Sequence, residues 1–201
     1  MAEDETLPAD IDPESRSRLK LPKREDLPDE FRALHDHFTK PDTTSYVGLR
    51  GPGGIRLHSP RLSQATQVVN EYIRYDAGID PRLRELIILV TARAVDSQFE
   101  WTAHEPEAQK QGIPQETIDV IKYRKPLDGI PQEDADVIRF VRETLEDRHV
   151  TSETYAVMRD RFGERMLVDL VGLVGNYVAT AALLCAFDMH THPGVKPMLP
   201  K

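Results

Sequence analysis

The residues best placed to do chemistry lie on two neighbouring segments, with one acid on the first and three polar side chains on the second. Glu85 sits in an apolar stretch, and Ser97, Glu100 and His104 follow it, separated from one another by three and four residues. On a helix these spacings place side chains on one face. Because imidazole titrates near neutral pH, His104 is the candidate for giving and taking a proton within one turnover. The pattern therefore favours an acid–base site.

Each of these residues also has a purely structural interpretation. His104 could be a core or surface histidine satisfied by Glu100 one turn earlier, and Glu85 could pair with a neighbouring arginine. A carboxylate in an apolar helix is costly unless paired or protonated, and burial is expected to raise the pKa of Glu85. Glu100 could orient the imidazole and stabilise its cation, or form only a weak pair along the helix. Trp101 could form a pocket wall, although such a tryptophan is more often core.

A family resemblance is carried by the stretch RELIILVTARAVDSQFEWTAHEPEAQKQGI. It resembles the signature of the carboxymuconolactone decarboxylase and alkylhydroperoxidase-D-like family, and the similarity extends over roughly residues 25–190. In the peroxidase branch a glutamate precedes a C-x-x-C pair, and a histidine lies four residues after the second cysteine. Glu85 and His104 match, but Ser97 and Glu100 stand at the cysteine positions. A dithiol peroxidase is disfavoured, because it needs one thiolate to attack peroxide and a second thiol to resolve the sulfenic acid.

The resemblance implies instead the decarboxylase reaction, which proceeds by acid–base chemistry without a cofactor. A carboxylate on an unsaturated lactone leaves as carbon dioxide, and the protein must stabilise a dienolate oxygen and deliver a proton to carbon. In this hypothesis His104 delivers the proton and Glu100 tunes the imidazole. Glu85 is the acid–base partner, and Ser97 donates a hydrogen bond to the oxyanion.

Substrate contacts are assigned to Trp101 and Arg93, because a small carboxylated substrate needs a wall and a cation. Arg82 and Arg84 are equally near in sequence, and the spacing does not select one arginine. Other lactone or enol isomerisations, a hydrolysis or a cyclisation would use the same constellation. A thiol-free relative of the peroxidases and a non-catalytic oligomer that binds a small apolar molecule remain alternatives.

Charge and cysteine content limit the partners and the compartment. With 26 basic and 34 acidic residues, the net charge of −8 argues against nucleic-acid binding. The single cysteine, Cys185, cannot form an intramolecular disulfide, and no secretory signal is evident, so a cytoplasmic location is expected. Its apolar neighbours predict an inert, buried thiol. The uncharged stretch 170–187 is at the lower limit for a membrane span, and a buried core helix is expected there instead.

Two histidine pairs raise the question of a metal. His190 and His192 follow Asp188, and His35 and His37 lie near the start of the chain. Histidines two residues apart do not share a helix face, so no metal site is predicted.

The apolar periodicity predicts an all-α fold of the alkylhydroperoxidase-D-like type, because no segment alternates like a strand. Helices are predicted over about 29–40, 60–78, 80–95, 98–111, 115–122, 132–148, 151–162 and 164–189. The Gly51-Pro52-Gly53-Gly54 segment is predicted to be a turn. A mobile N-terminal arm (1–24), one helical domain (25–192) and a C-terminal tail (193–201) are expected.

The last helix also predicts self-association. It is apolar over more surface than one small domain easily covers, and Gly172 and Gly175 have the spacing that lets helices approach closely. The resembling family commonly forms trimers and larger rings, so a homo-oligomer with a small-molecule substrate is the expected assembly.

Overall fold

The structure is a computed structural model that describes residues 7–41, 43, 45 and 47–200. Within those residues there is no strand beyond an isolated bridge between Asp12 and Ser17. The predicted all-α class is confirmed. The helices are α1 Arg32–Thr39, α2 Pro52–Leu57, α3 Pro60–Glu71, α4 Pro81–Ala94, α5 Gln98–Lys110, α6 Gln115–Lys122, α7 Gln132–Arg142 and α8 Ser152–Ala186. One turn of π-helix extends α3 (Tyr72–Asp76) and another extends α7 (Glu143–Asp147).

The chain forms two compact units, each assembled from separate parts of the sequence. Unit 1 comprises residues 1–70 and 182–196, and unit 2 comprises residues 71–181 and 197–201. The domain boundaries predicted from the sequence, at residues 24 and 192, differ from these unit boundaries and stay predictions. Two of the three unit boundaries fall within α3 and α8, so no loop marks those two in the sequence.

In unit 1 the N-terminal segment lies along the segment that follows α8. The Arg18 amide donates to the Phe187 carbonyl at 2.9 Å, and the His190 amide donates to the Arg16 carbonyl at 2.9 Å. Ile11 adds a buried side chain. Residues 1–6 of the predicted mobile arm lie outside the described residues, and mobility of the remainder stays a prediction.

Helix α2 corrects the prediction of a turn at Gly51–Gly54. Pro52 occupies the first helical position, where its missing N–H costs nothing. Gly53 and Gly54 are buried, and a Cβ on Gly54 would lie 2.0 Å from the Leu49 carbonyl oxygen. Gly53 and Gly54 therefore permit close packing, which the Gly-Pro-Gly-Gly sequence alone did not reveal.

Unit 2 is organised around α4, as its nearly continuous apolar sequence predicts. The Asp80 carboxylate caps this helix by accepting from the amides of Arg82 and Leu83 at 3.0 and 3.1 Å. The buried run 84–92 is then surrounded by α5, α6 and α7. This burial places Glu85 inside the hydrophobic core of the unit.

Helix α8 is interrupted at Gly163, whose φ of 73° and ψ of 163° are not helical. Segments 152–162 and 164–186 thus match the two predicted helices. Within the part of the chain described, this helix alone is long and apolar enough to cross a membrane by length and composition, a test that soluble core helices also pass. Leu170, Leu173 and Tyr177 are buried, whereas Val168 is 71% exposed.

Candidate functional site

Helices α4 and α5 bring Glu85 and His104 into direct contact. The Oε2 atom of Glu85 lies 2.7 Å from Nδ1 of His104, and the two side chains are 1% and 5% exposed. The cap at Asp80 fixes the start of α4. The short turn 95–97 then reverses the chain direction, so that α4 and α5 pack along each other. The sequence paired these two residues as candidates, and the structure brings them together.

The electrostatics of Glu85 differ from the sequence prediction. Burial by itself raises the pKa of this carboxyl, but the hydrogen bond from His104 and the charges of His104, Arg74 and Arg84 outweigh it, so that the pKa lies below its ordinary value of 4.5. The predicted upward shift is therefore wrong, because partners decide the sign. Glu85 is a carboxylate at neutral pH and can only accept, so Nδ1 of His104 carries the proton.

The other ring nitrogen of His104 faces a second carboxylate. Nε2 lies 3.5 Å from Oε2 of Glu100, one turn earlier on α5, and the Glu100 side chain is 6% exposed. This separation is longer than an ordinary N–H···O bond of about 2.9 Å. The imidazole therefore lies between two carboxylates, bonded closely to Glu85 and more loosely placed beside Glu100.

Three further side chains surround this pair. The Arg84 Nε donates to Oε1 of Glu85 at 3.4 Å, and its Nη1 donates to the carbonyl of Arg74 at 2.6 Å. Arg74 Nη1 donates to the Tyr177 hydroxyl at 2.8 Å. The Tyr177 ring meets the His104 ring at a centroid distance of 5.3 Å and an interplanar angle of 81°. The site thus combines two carboxylates, two guanidinium groups, an imidazole and a phenol.

The remaining predicted residues are placed elsewhere. Ser97 precedes the first turn of α5, seven residues and about 10 Å along the axis from His104. Trp101 is fully buried in the core and donates its indole N–H to Glu105 at 2.6 Å, so the core interpretation fits it better than a pocket wall. Arg93 pairs with Asp96 and is eight residues, about 12 Å, along α4 from Glu85.

Residues 60–143 match the model of the carboxymuconolactone decarboxylase family. This match, over 84 of the 201 residues, confirms the family resemblance predicted from the sequence. The matched segment contains Glu85, Glu100 and His104 and runs from α3 to the start of the turn after α7. Among curated proteins, no significant sequence match was found.

Two solved structures have a similar fold. An uncharacterized peroxidase-related protein from Ralstonia eutropha, an alkylhydroperoxidase AhpD core, aligns with a TM-score of 0.71 at 17% identity, covering 92% of this chain and 98% of that one. A variant of the debrominase Bmp8, in complex with 2,3,4-tribromopyrrole, aligns with a TM-score of 0.66 at 14% identity, covering 88% and 94%. At these identities the likeness shows the alkylhydroperoxidase-D-like helical fold alone.

Two further sequence predictions, on Cys185 and on metal binding, concern residues outside this site. Cys185 is exposed, which corrects the prediction of a buried thiol, because it falls on the outer side of α8. Among the described residues, no three His, Cys, Asp or Glu side chains are grouped as a metal site would require. His192 instead contacts the Arg50 carbonyl through Nε2 at 2.8 Å. The expectation of no metal stays a prediction.

Sequence reasoning missed Arg74 and Tyr177. Tyr177 was detectable in principle, since a phenol hydroxyl in an apolar helix needs a partner. Nothing in the sequence indicated Arg74, because its contact with Tyr177 depends on the π-helical turn that follows α3. Arg84 was among the arginines considered, and the structure places it, rather than Arg93, against Glu85.

Proposed function

We propose that this protein is an acid–base enzyme of the carboxymuconolactone decarboxylase type that acts on a small carboxylated lactone or a related enol. The observation that carries the proposal is the buried Glu85–His104 contact of 2.7 Å, with Glu100 at the opposite ring nitrogen. A histidine held by a carboxylate is the arrangement used to move protons in a low-dielectric site. No step requires a thiol, a metal or an organic cofactor.

In the proposed reaction, the bond between the lactone carbon and its carboxylate breaks and carbon dioxide leaves. The electron pair passes through the conjugated double bond to the lactone carbonyl oxygen and gives a dienolate. For this step His104 takes up a second proton at Nε2 from solvent beside Glu100 and transfers it to carbon. The transfer returns the imidazole to the form that is protonated on Nδ1 alone.

Glu85 supports this step as a carboxylate. It fixes the imidazole orientation through Nδ1 and stabilises the imidazolium form, as the acid of a hydrolytic triad does. Arg84 in turn contacts Glu85 and holds it in place. Ser97, which immediately precedes α5, remains the proposed donor to the dienolate oxygen, for a substrate that extends along the helix from His104. Arg93 and Trp101 are not needed in this scheme.

The test is release of carbon dioxide from γ-carboxymuconolactone by the pure protein without added metal or flavin. We expect His104→Ala to lower release by about 100-fold or more, the usual range for general acid–base catalysis. His149→Ala is the matched control, since this histidine is exposed and its backbone amide, which the substitution keeps, donates to the Glu143 carbonyl.

Two results would count against the proposal. Equal release by wild-type protein and His104→Ala would remove the proposed proton donor. Absence of release from this lactone and from a panel of carboxylated lactones and enol-lactones would favour the alternative of a non-catalytic protein that binds a small molecule.

A further inference from the structure

The side chains around the proposed acid–base pair form a closed circuit of contacts. Glu85 bonds to His104, Arg84 contacts Glu85 and the Arg74 carbonyl, and Arg74 bonds to Tyr177. The circuit closes where the Tyr177 ring meets His104 edge to face. Its members come from α4, α5, α8 and the turn after α3. Four separate elements thus converge on one imidazole.

The π-helical turn Tyr72–Asp76 is what presents Arg74 to this circuit. The Ala77 amide donates to the Tyr72 carbonyl at 2.8 Å, which is the five-residue spacing of a π-turn. Such a turn inserts one extra residue into a helix and redirects the side chains on either side of it. Here the Arg74 side chain reaches Tyr177 while its own carbonyl receives Arg84. One residue therefore connects both halves of the circuit.

We propose that Arg74 and Tyr177 are positioning residues that hold the imidazole of His104 in a single orientation. This inference rests on the function proposed above. A half-turn of the imidazole about its Cβ–Cγ bond would exchange Nδ1 with a ring carbon and would break the bond to Glu85. The phenol ring, standing at 81° to the imidazole, occupies the space through which the ring would have to turn.

Tyr177 is itself anchored at its far end. Its ring is 5% exposed, and its hydroxyl accepts from Arg74 at 2.8 Å. A hydrogen bond from a charged donor is about twice as strong as a neutral one. Removing the hydroxyl should loosen the phenol without emptying its space, whereas removing the ring should release the imidazole altogether.

The experiment compares Tyr177→Phe, Tyr177→Leu and Arg74→Met with the wild-type protein by 15N NMR of the histidine side chains, using His104→Ala to assign the signal. The matched controls are Tyr155→Leu and Arg159→Met, since both residues are exposed and lie in the first segment of α8. We expect the wild type and both controls to show His104 with its proton on Nδ1 alone. Tyr177→Leu and Arg74→Met should show averaging between the two tautomers.

Where carbon dioxide release is measurable, kcat should fall about tenfold in Arg74→Met and up to about 100-fold in Tyr177→Leu, with KM nearly unchanged. The fall in kcat should be smaller in Tyr177→Phe than in Tyr177→Leu. Arg74→Lys should keep part of the kcat that Arg74→Met loses. A role limited to folding would not separate kcat from KM in this way.

The NMR measurement distinguishes failure of this inference from failure of the proposed function. A single Nδ1 tautomer in Tyr177→Leu and Arg74→Met would overturn the positioning role, whatever the activity. Averaged tautomers in those variants, in a protein that releases no carbon dioxide from any lactone, would support the positioning role and count only against the decarboxylase.

Discussion

At the scale of single residues, the type and spacing of side chains predicted the centre of the site but not its electrostatics. Glu85 and His104 were identifiable because an acid in an apolar helix is unusual and because both residues match the pattern of the family that the sequence resembles. The sign of the Glu85 pKa shift depends first on the hydrogen bond and charge of His104 and then on the charges of Arg74 and Arg84, all of which are tertiary contacts. Tyr177 lies 73 residues after His104, and although its hydroxyl indicated a need for some partner, its contact with His104 is likewise a tertiary property.

The lowered pKa of Glu85 predicts a specific dependence of stability on pH. A carboxyl whose folded-state pKa is depressed stabilises the fold above its ordinary value of 4.5, and this contribution is lost as the pH falls through the folded-state value. Glu85→Gln should therefore lower the free energy of unfolding by about 1–3 kcal/mol at pH 7. The difference from wild type should shrink as the pH falls below 4.5 and through the lowered folded-state pKa of Glu85.

Denaturant unfolding at several pH values measures this difference, with Asp128→Asn as the control because Asp128 is exposed. A Glu85→Gln variant that is more stable than wild type at neutral pH would mean that the cost of burying the carboxylate exceeds the stabilisation that its partners provide.

At the scale of elements, periodicity predicted most helices and the interruption near Gly163. It failed at α2, because glycines that permit close packing and glycines that make turns look alike in sequence. A Cβ on Gly53 would lie 2.5 Å from the Phe38 ring, a contact that only the folded unit reveals. The π-helical turns were also invisible, since an extra residue in a helix end leaves the apolar pattern almost unchanged.

Two glycines of α8 should respond in opposite ways to the same substitution. Gly163 has φ 73° and ψ 163°, a region that is essentially restricted to glycine, so Gly163→Ala should destabilise the protein by about 1–3 kcal/mol. Gly175 lies within the helix, and nothing is within 4 Å of the position of an added Cβ. Gly175→Ala should therefore stabilise the protein by about 0.5–1 kcal/mol.

Thermal and denaturant unfolding of the two variants measure these changes side by side. Equal effects of the two substitutions would show that the break at Gly163 does not depend on glycine.

At the scale of the whole molecule, the outer face of α8 supports the proposal of a homo-oligomer. The sequence predicted close helix packing at Gly172 and Gly175, and both glycines are exposed in the single chain. Val168 is 71% exposed and Val171 is 43% exposed on the same face. Apolar side chains beside small residues are suited to contact with a second copy of this helix.

Gly175→Leu now becomes a test of assembly with little effect on the folded chain. Because the position is open in the single chain, we expect an unchanged helical circular-dichroism spectrum and a lower molar mass by sedimentation. Val168→Lys should act in the same direction, and Val157→Lys, an exposed valine in segment 152–162, serves as the control. An unchanged mass in both α8 face variants would place the interface elsewhere, and a monomeric wild type would end the proposal.

The last described residues have a consequence for how the protein is made. Gln98 accepts hydrogen bonds from the Met198 and Leu199 amides and donates to the Leu199 carbonyl, and the Leu199 side chain joins the core of unit 2. Unit 1 likewise needs residues 182–196. Neither unit can close before residues 182–199 have left the ribosome, so the apolar segment 164–181 of α8 is synthesised while both cores are still unfinished. Native packing therefore begins late, and chaperone protection during translation matters most for the long apolar α8.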